Sequence, residues 1–86
     1  MTSINDLITK YINGADRVIK EIGEIPKEAQ LNSNEAETVF DWAKRYLMDA
    51  KYYQEKGKLE TSLTSVAYCE GLLDALRLLG AVEFSW

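Results

Sequence analysis

Apolar residues recur along the chain at intervals of three and four, which is the spacing of a helix that buries one face. The first such stretch predicts a helix over residues 3–24, with apolar positions Ile4, Leu7, Ile8, Tyr11, Ile12, Ala15, Val18, Ile19 and Ile22. Ser3 is suited to cap this helix. The pattern continues through Asn13 and Gly14, so no turn is predicted there, and the helix must end before Pro26.

Two further amphipathic stretches predict helices over residues 34–56 and 58–79. Gly57 and Gly80 are expected to end them, because glycine readily adopts the left-handed conformation that follows the last turn of a helix. The connection between these two helices is only about two residues long, which forces them to run antiparallel.

A loop is predicted between the first two helices, from residue 23 to residue 33. Asn34 is expected to cap the second helix, with Glu37 at the third helical position. The sequence therefore predicts an all-α fold, an up-down-up three-helix bundle that forms a single domain over residues 1–86. A short tail, residues 81–86, follows the third helix.

Several residues of the second and third helices form a combined pattern: Tyr46, Asp49, Ala50, Tyr52, Tyr53, Gly57, Tyr68, Gly71, Asp74, Ala75, Leu79 and Gly80. Over about residues 36–80 this pattern resembles a small archaeal family, domain of unknown function 357. The resemblance implies a cytoplasmic archaeal protein, with a fold similar to immunoglobulin- and albumin-binding three-helix bundles. It implies no activity. Lys58 departs from the family pattern, which has Asp after the turn glycine, and a helix cap is thereby lost.

Composition excludes several classes of function. The 86 residues carry a net charge of −4, and the lysines are dispersed, so the tyrosines and tryptophans are not expected to bind nucleic acid. No apolar run of about 18 residues is present, so no membrane partner is expected. The chain has no histidine, and its one cysteine, Cys69, has no cation beside it in sequence, so we expect a buried structural thiol. We therefore expect no enzyme, no catalytic residue and no cofactor, with carboxylate-based chemistry as the one exception.

The start of the chain lacks the basic and apolar segments of a secretory signal. Together with the lone cysteine, this favours a cytoplasmic protein.

Glu70, Asp74 and Arg77 are spaced to lie on one side of the third helix, and Asp49 can approach from the second helix. We predict a structural polar network in which Arg77 offsets one carboxylate and tyrosines donate to the others. The alternative is a regulator that binds a small molecule or a divalent metal through these carboxylates and tyrosines. Helical-bundle metal sites normally include histidine, so no metal ligand is assigned.

Gly71 falls in the middle of the third helix, where glycine costs about 1 kcal/mol relative to alanine. We predict a close helix crossing there, filled by an aromatic ring from Tyr46, Tyr53 or Phe40. A ligand that approaches the backbone is the alternative.

The third helix is apolar almost all round between residues 72 and 79, so two neighbouring helices cannot cover it. Either the tail folds back over it or a second subunit does, and both hold if two subunits exchange tails. On the second helix, Met48 and Tyr52 lie opposite the core face as a further contact spot.

We therefore predict a non-enzymatic interaction or self-association module, which binds a second copy, with a dimer favoured, or another protein. The candidate interface is Met48, Tyr52, Tyr68, Leu72, Leu79, Val82, Phe84 and Trp86.

Overall fold

The computed structural model describes residues 3–27 and 33–86. Three α-helices make up the bundle: α1 (Ile4–Ile22), α2 (Ser33–Glu55) and α3 (Leu59–Leu78). The all-α three-helix prediction is confirmed, and each observed boundary lies within two residues of the predicted one. The predicted loop falls partly on residues 28–32, which lie outside the described residues.

The N-terminal cap of α1 was predicted correctly, and α2 begins one residue earlier than predicted. The Oγ of Ser3 accepts a hydrogen bond from the backbone N–H of Asp6 at 3.0 Å. α2 begins at Ser33, so Asn34 lies inside its first turn and does not precede the helix. The α1 helix runs without a break through Gly14, as its apolar pattern predicts.

Glycines end α2 and α3 as predicted. Gly57 has a φ of 74° and Gly80 a φ of 79°, both in the left-handed region. Lys58 sits at the start of α3 without a side-chain cap, which agrees with the absence of Asp at that position.

The core lies along the line where the three helices meet. Small alanines on α2, among them Ala43 and Ala50, are fully buried and allow close approach of the neighbouring helices. α2 and α3 contact each other far more extensively than either contacts α1. At their crossing the buried hydroxyl of Ser62 donates to the backbone carbonyl of Ala50 at 2.7 Å. This bond satisfies a hydroxyl that would otherwise destabilise the core.

Polar contacts fix α1 against α2 on the outside of the bundle. Lys51 forms an ion pair with Asp16 at 3.2 Å, and the side-chain amide of Gln54 donates to the hydroxyl of Thr9 at 2.8 Å. These side chains are largely exposed, so they orient α1 more than they stabilise it.

Residues 81–86, here called the tail, turn back at Gly80 and cover the junction of α1 and α3. Ala81 and Val82 are buried within the core cluster, and Phe84 packs against it. The guanidinium of Arg17 on α1 donates to the backbone carbonyls of Ser85, at 3.1 Å, and Trp86. The tail of the same chain thus covers part of the excess apolar surface, which is one of the predicted ways to cover it.

Candidate functional site

The polar network on α3 holds the tail. Oδ1 of Asp74 accepts hydrogen bonds from Arg77 at 3.2 Å and from the indole Nε1 of Trp86 at 2.7 Å. The Arg77 guanidinium also lies over the ring of Phe84, 5.6 Å from its centroid. The predicted ion pair is therefore present, but its further donor is a tail tryptophan, so the network joins the tail to α3 and not α2 to α3.

Asp49 was wrongly placed in this network. It is exposed on α2 and lines a different depression, together with Trp42 and Met48. The rotation of α2 about its axis explains this, because the face that meets α3 carries Leu47 and Ala50. Among residues 3–27 and 33–86, no three His, Cys, Asp or Glu side chains gather where they could hold a metal ion.

Glu70 and Asp74 instead line a depression between α1 and α3. Its volume is about 380 Å³, and its other lining residues are Lys10, Tyr11, Gly14 and Trp86. Burial raises the pKa of Glu70, and the nearby charge of Asp74 raises it further. The depression therefore combines two carboxylates with aromatic rings at its rim.

Gly71 does not mark a helix crossing. It is exposed, and a Cβ added there would have no neighbouring atom within 4 Å. The predicted fillers lie elsewhere, since Phe40 is buried in the core and Tyr46 stacks on Tyr68. The prediction was wrong because Gly71 lies on the side of α3 that faces solvent.

Cys69 is a buried thiol, as its sequence context predicts. Its side chain is fully buried, and desolvation together with the charge of Glu70 raises its pKa to about 12. Since the thiolate is the nucleophilic form, the burial and the raised pKa of this residue both disfavour its reaction in the folded protein.

The tail residues of the predicted interface are occupied within the chain. Val82 is buried, because the turn at Gly80 directs it into the core, and its assignment to an external interface was wrong. Phe84 is half-buried, and Trp86, although 45% exposed, is held by Asp74 and Arg17. The tail residues therefore pack within their own chain and form part of its core and surface.

Large apolar side chains remain exposed on α2 and on the adjacent side of α3. Trp42 lies 6.1 Å from Tyr46, and Tyr46 stacks on Tyr68 with 4.7 Å between ring centroids. The exposed fractions are 48% for Trp42, 68% for Met48, 54% for Tyr52 and 58% for Tyr68. We call these four side chains, together with Tyr46, the aromatic surface. Met48, Tyr52 and Tyr68 were predicted from the sequence.

Trp42 and Tyr46 were missed as members of this surface. They are one helical turn apart, and that spacing on α2 was the signal that could have identified them. Of the predicted α3 residues, Leu72 is half-buried against the core and Leu79 is exposed. The apolar excess of α3 is thus divided between the core, the tail and an exposed end at Leu78 and Leu79.

Two cations lie over rings of the aromatic surface. Arg45 is 5.4 Å from the ring centroid of Trp42, and Lys56 is 5.5 Å from that of Tyr52. Both distances lie within the range of a cation–π interaction, and both rings remain about half exposed.

Comparison with known protein families shows which family the chain belongs to. The family described as protein of unknown function (DUF357) matches residues 10–82. The chain belongs to this family. The DUF357 region includes most of α1, all of α2 and α3, and the buried start of the tail, but not Phe84 or Trp86. No curated protein and no solved structure matches the chain. No helix in the described part of the chain is long and apolar enough to cross a membrane.

Proposed function

We propose that this DUF357 protein is a non-enzymatic self-association module, and that two copies meet through the aromatic surface. The observation that carries the proposal is the row of rings Trp42, Tyr46 and Tyr68, whose outer side stays exposed after the core and tail are complete. Tryptophan and tyrosine are enriched at protein interfaces, where they supply large contact areas. Rings already fixed by their neighbours lose little conformational entropy when they bind.

Charge supports a second copy as the occupant. A net charge of −4 opposes the approach of two identical chains, yet the aromatic surface carries one cation and one anion close together, Arg45 and Asp49. Neither forms an ion pair with another described residue. A surface that presents both signs is complementary to itself, which is the requirement of a two-fold contact.

The size of the surface sets the expected strength. A stable interface buries about 800 Å² on each partner. An aromatic side chain offers about 150–250 Å² in full, and Trp42 and Tyr68 are each about half exposed, so they supply only a part of that area. The remainder must come from the length of α2. We therefore expect a dimer with micromolar affinity.

Sedimentation velocity over a concentration series tests this proposal. The wild-type mass should rise from 9.8 kDa toward twice that value. Trp42→Ala and Tyr68→Ser should each weaken association, because both remove exposed rings. Trp86→Phe is the matched control, since it alters the other tryptophan, in the tail, and should leave the mass distribution unchanged. A wild-type chain that stays at 9.8 kDa at millimolar concentration contradicts the proposal.

A second candidate is a regulator that binds a small protonated amine. The supporting observation is the α1–α3 depression, where Glu70 and Asp74 lie beside Tyr11 and Trp86. Carboxylates and aromatic faces together attract an organic cation. A thermal-shift screen with small amines tests it. A stabilising amine whose effect is lost in Glu70→Gln would favour this function, and no shift with any amine counts against it.

A further inference from the structure

The outer face of α2 carries a second regular row of residues, opposite the core. Its six members are spaced alternately by four and three: Thr38, Trp42, Arg45, Asp49, Tyr52 and Lys56. All six are exposed, and the backbone N–H of Lys56 still bonds to the carbonyl of Tyr52, so the row keeps helical geometry to its end. We call this row the α2 seam. This spacing follows any straight line along an α-helix, and a coiled coil places apolar residues at such positions; here the apolar members are Trp42 and Tyr52, and the charges decide how two copies can pair.

The α2 seam is complementary to itself when two copies run antiparallel. With the two-fold axis at the level of Leu47, Trp42 faces Tyr52 of the second copy, and Arg45 faces Asp49 of the second copy. Thr38 then faces Lys56, a neutral residue against a cation. Each copy makes every contact twice, as a two-fold axis requires.

A parallel arrangement of the same seam is unfavourable. Arg45 would face Arg45, Asp49 would face Asp49 and Lys56 would face Lys56. A like charge would therefore lie opposite each of the three charged positions. Like charges across a helical contact line select against that orientation. The order of charges along α2 therefore specifies the antiparallel one.

The charges of the seam are available for a partner. Arg45 and Asp49 are one turn apart on α2, where such pairs commonly form an ion pair within the helix. Here the guanidinium of Arg45 is stacked toward Trp42 instead, and in the described residues Asp49 has no cation paired with it. In the antiparallel dimer each of these charges gains a partner of opposite sign.

We propose that two copies of this chain pair antiparallel through the α2 seam, with Arg45 of each bound to Asp49 of the other. This inference rests on the proposed function and specifies its orientation and register. Tyr46 and Tyr68 then flank the seam on its α3 side, and Met48 flanks it on the other.

Charge reversal tests the register. In a homodimer of Arg45→Asp, two carboxylates face each other at both contacts, and in a homodimer of Asp49→Arg two guanidinium groups do. Each variant alone should dimerise at least about tenfold more weakly than wild type in sedimentation experiments. An equimolar mixture of the two variants should recover dimers, because a carboxylate of one chain then faces a guanidinium of the other at both contacts. The reversal Glu83→Arg, at an exposed position in the tail and away from the seam, is the control, and on its own it should dimerise as wild type does.

Disulfide trapping tests the orientation independently. Within one chain, positions 38 and 56 are about 27 Å apart along the helix, too far for a disulfide. The double variant Thr38→Cys with Lys56→Cys should form a covalent dimer on oxidation. Thr38→Cys alone should not, since it would cross-link only a parallel pair. Wild type, whose Cys69 is buried, controls for random oxidation.

The outcomes separate this inference from the proposed function. A wild-type monomer overturns both. If wild type dimerises but the single-reversal variants dimerise equally well, the seam is overturned and the proposed function stands. The same holds if the mixture of the two variants does not recover dimers. A covalent dimer from Thr38→Cys alone overturns the antiparallel orientation. Loss in both single reversals with recovery in the mixture, together with trapping of the double cysteine variant only, supports the register.

Discussion

The indole Nε1 of Trp86 and Oδ1 of Asp74 are 2.7 Å apart, joined by a hydrogen bond that fastens the tail to α3. The same carboxylate oxygen also accepts from Arg77, so one acidic side chain on α3 organises both the helix end and the tail. A hydrogen bond to a charged acceptor is stronger than one between neutral groups.

Trp86→Phe should lower the free energy of unfolding by about 1 kcal/mol, because it removes the indole donor and keeps an aromatic ring. Urea denaturation followed by circular dichroism measures the change. Trp42→Phe is the matched control, and it should have a smaller effect at protein concentrations where the chain is monomeric. Equal losses in the two variants would mean that the bond to Asp74 contributes nothing.

Val82→Ala should destabilise the protein by about 1–2 kcal/mol, since it removes two buried methyl groups. Its neighbour Glu83 is exposed, so Glu83→Ala should change stability by less than about 0.5 kcal/mol. Both variants can be compared by their urea midpoints. A neutral Val82→Ala would show that the tail does not belong to the cooperative core.

Gly14→Ala and Gly71→Ala should each stabilise the protein by about 0.5–1 kcal/mol, because an added Cβ meets no atom within 4 Å and alanine favours the helix. Gly80→Ala provides the opposite case. Its φ of 79° is unfavourable for a side chain, so that substitution should destabilise by about 1 kcal/mol. Thermal melting of the three variants checks both signs, and destabilisation by Gly71→Ala would restore a packing role for that glycine.

Glu70→Gln should stabilise the protein at neutral pH. Burial, with the charge of Asp74, raises the pKa of Glu70 in the folded state, so the folded protein binds a proton more readily than the unfolded chain. The wild-type free energy of unfolding should therefore increase as the pH falls from neutral through the folded-state pKa of Glu70, because protonation removes the buried charge. The advantage of Glu70→Gln should shrink over the same range.

Urea midpoints at a series of pH values measure that difference, with Glu83→Gln as a control at an exposed position. A constant difference between Glu70→Gln and wild type across the series would contradict the assigned shift.

Cys69 should react with a thiol reagent only when the protein unfolds, since burial raises its pKa to about 12. At pH 8 we expect labelling in native buffer to be at least about 100-fold slower than in urea. Val82→Ala should accelerate labelling by increasing the unfolded population. Rapid labelling of the wild type in native buffer would show that the thiol is accessible.

The helices were predictable because each has many turns of apolar spacing, and glycine conformation at Gly57 and Gly80 is a local property. The tail was not predictable in detail. Its six residues alternate apolar and polar side chains but are too few to define an element. Its position depends on Asp74 and on Arg17, and Arg17 is 68 residues away from Ser85 in sequence. Gly71 was misread because the cost of a mid-helix glycine is known from sequence, while the open space beside it is not.

The candidate site was partly predictable for the same reason. Exposure of Met48 and Tyr52 follows from the helical wheel of α2 alone. The stacking of Tyr46 on Tyr68 depends on how α2 and α3 are aligned, and Asp49 was misplaced because that alignment was unknown.

The tail also sets the order in which a newly made chain can mature. α1 is synthesised first, yet Arg17 acquires its carbonyl partners, and the α1 junction its cover, only after residues 81–86 have been added. Until then the nascent chain exposes the apolar surface that Val82 and Phe84 later cover. During synthesis that surface is therefore open to chaperones and to contact with neighbouring nascent chains until the tail is added.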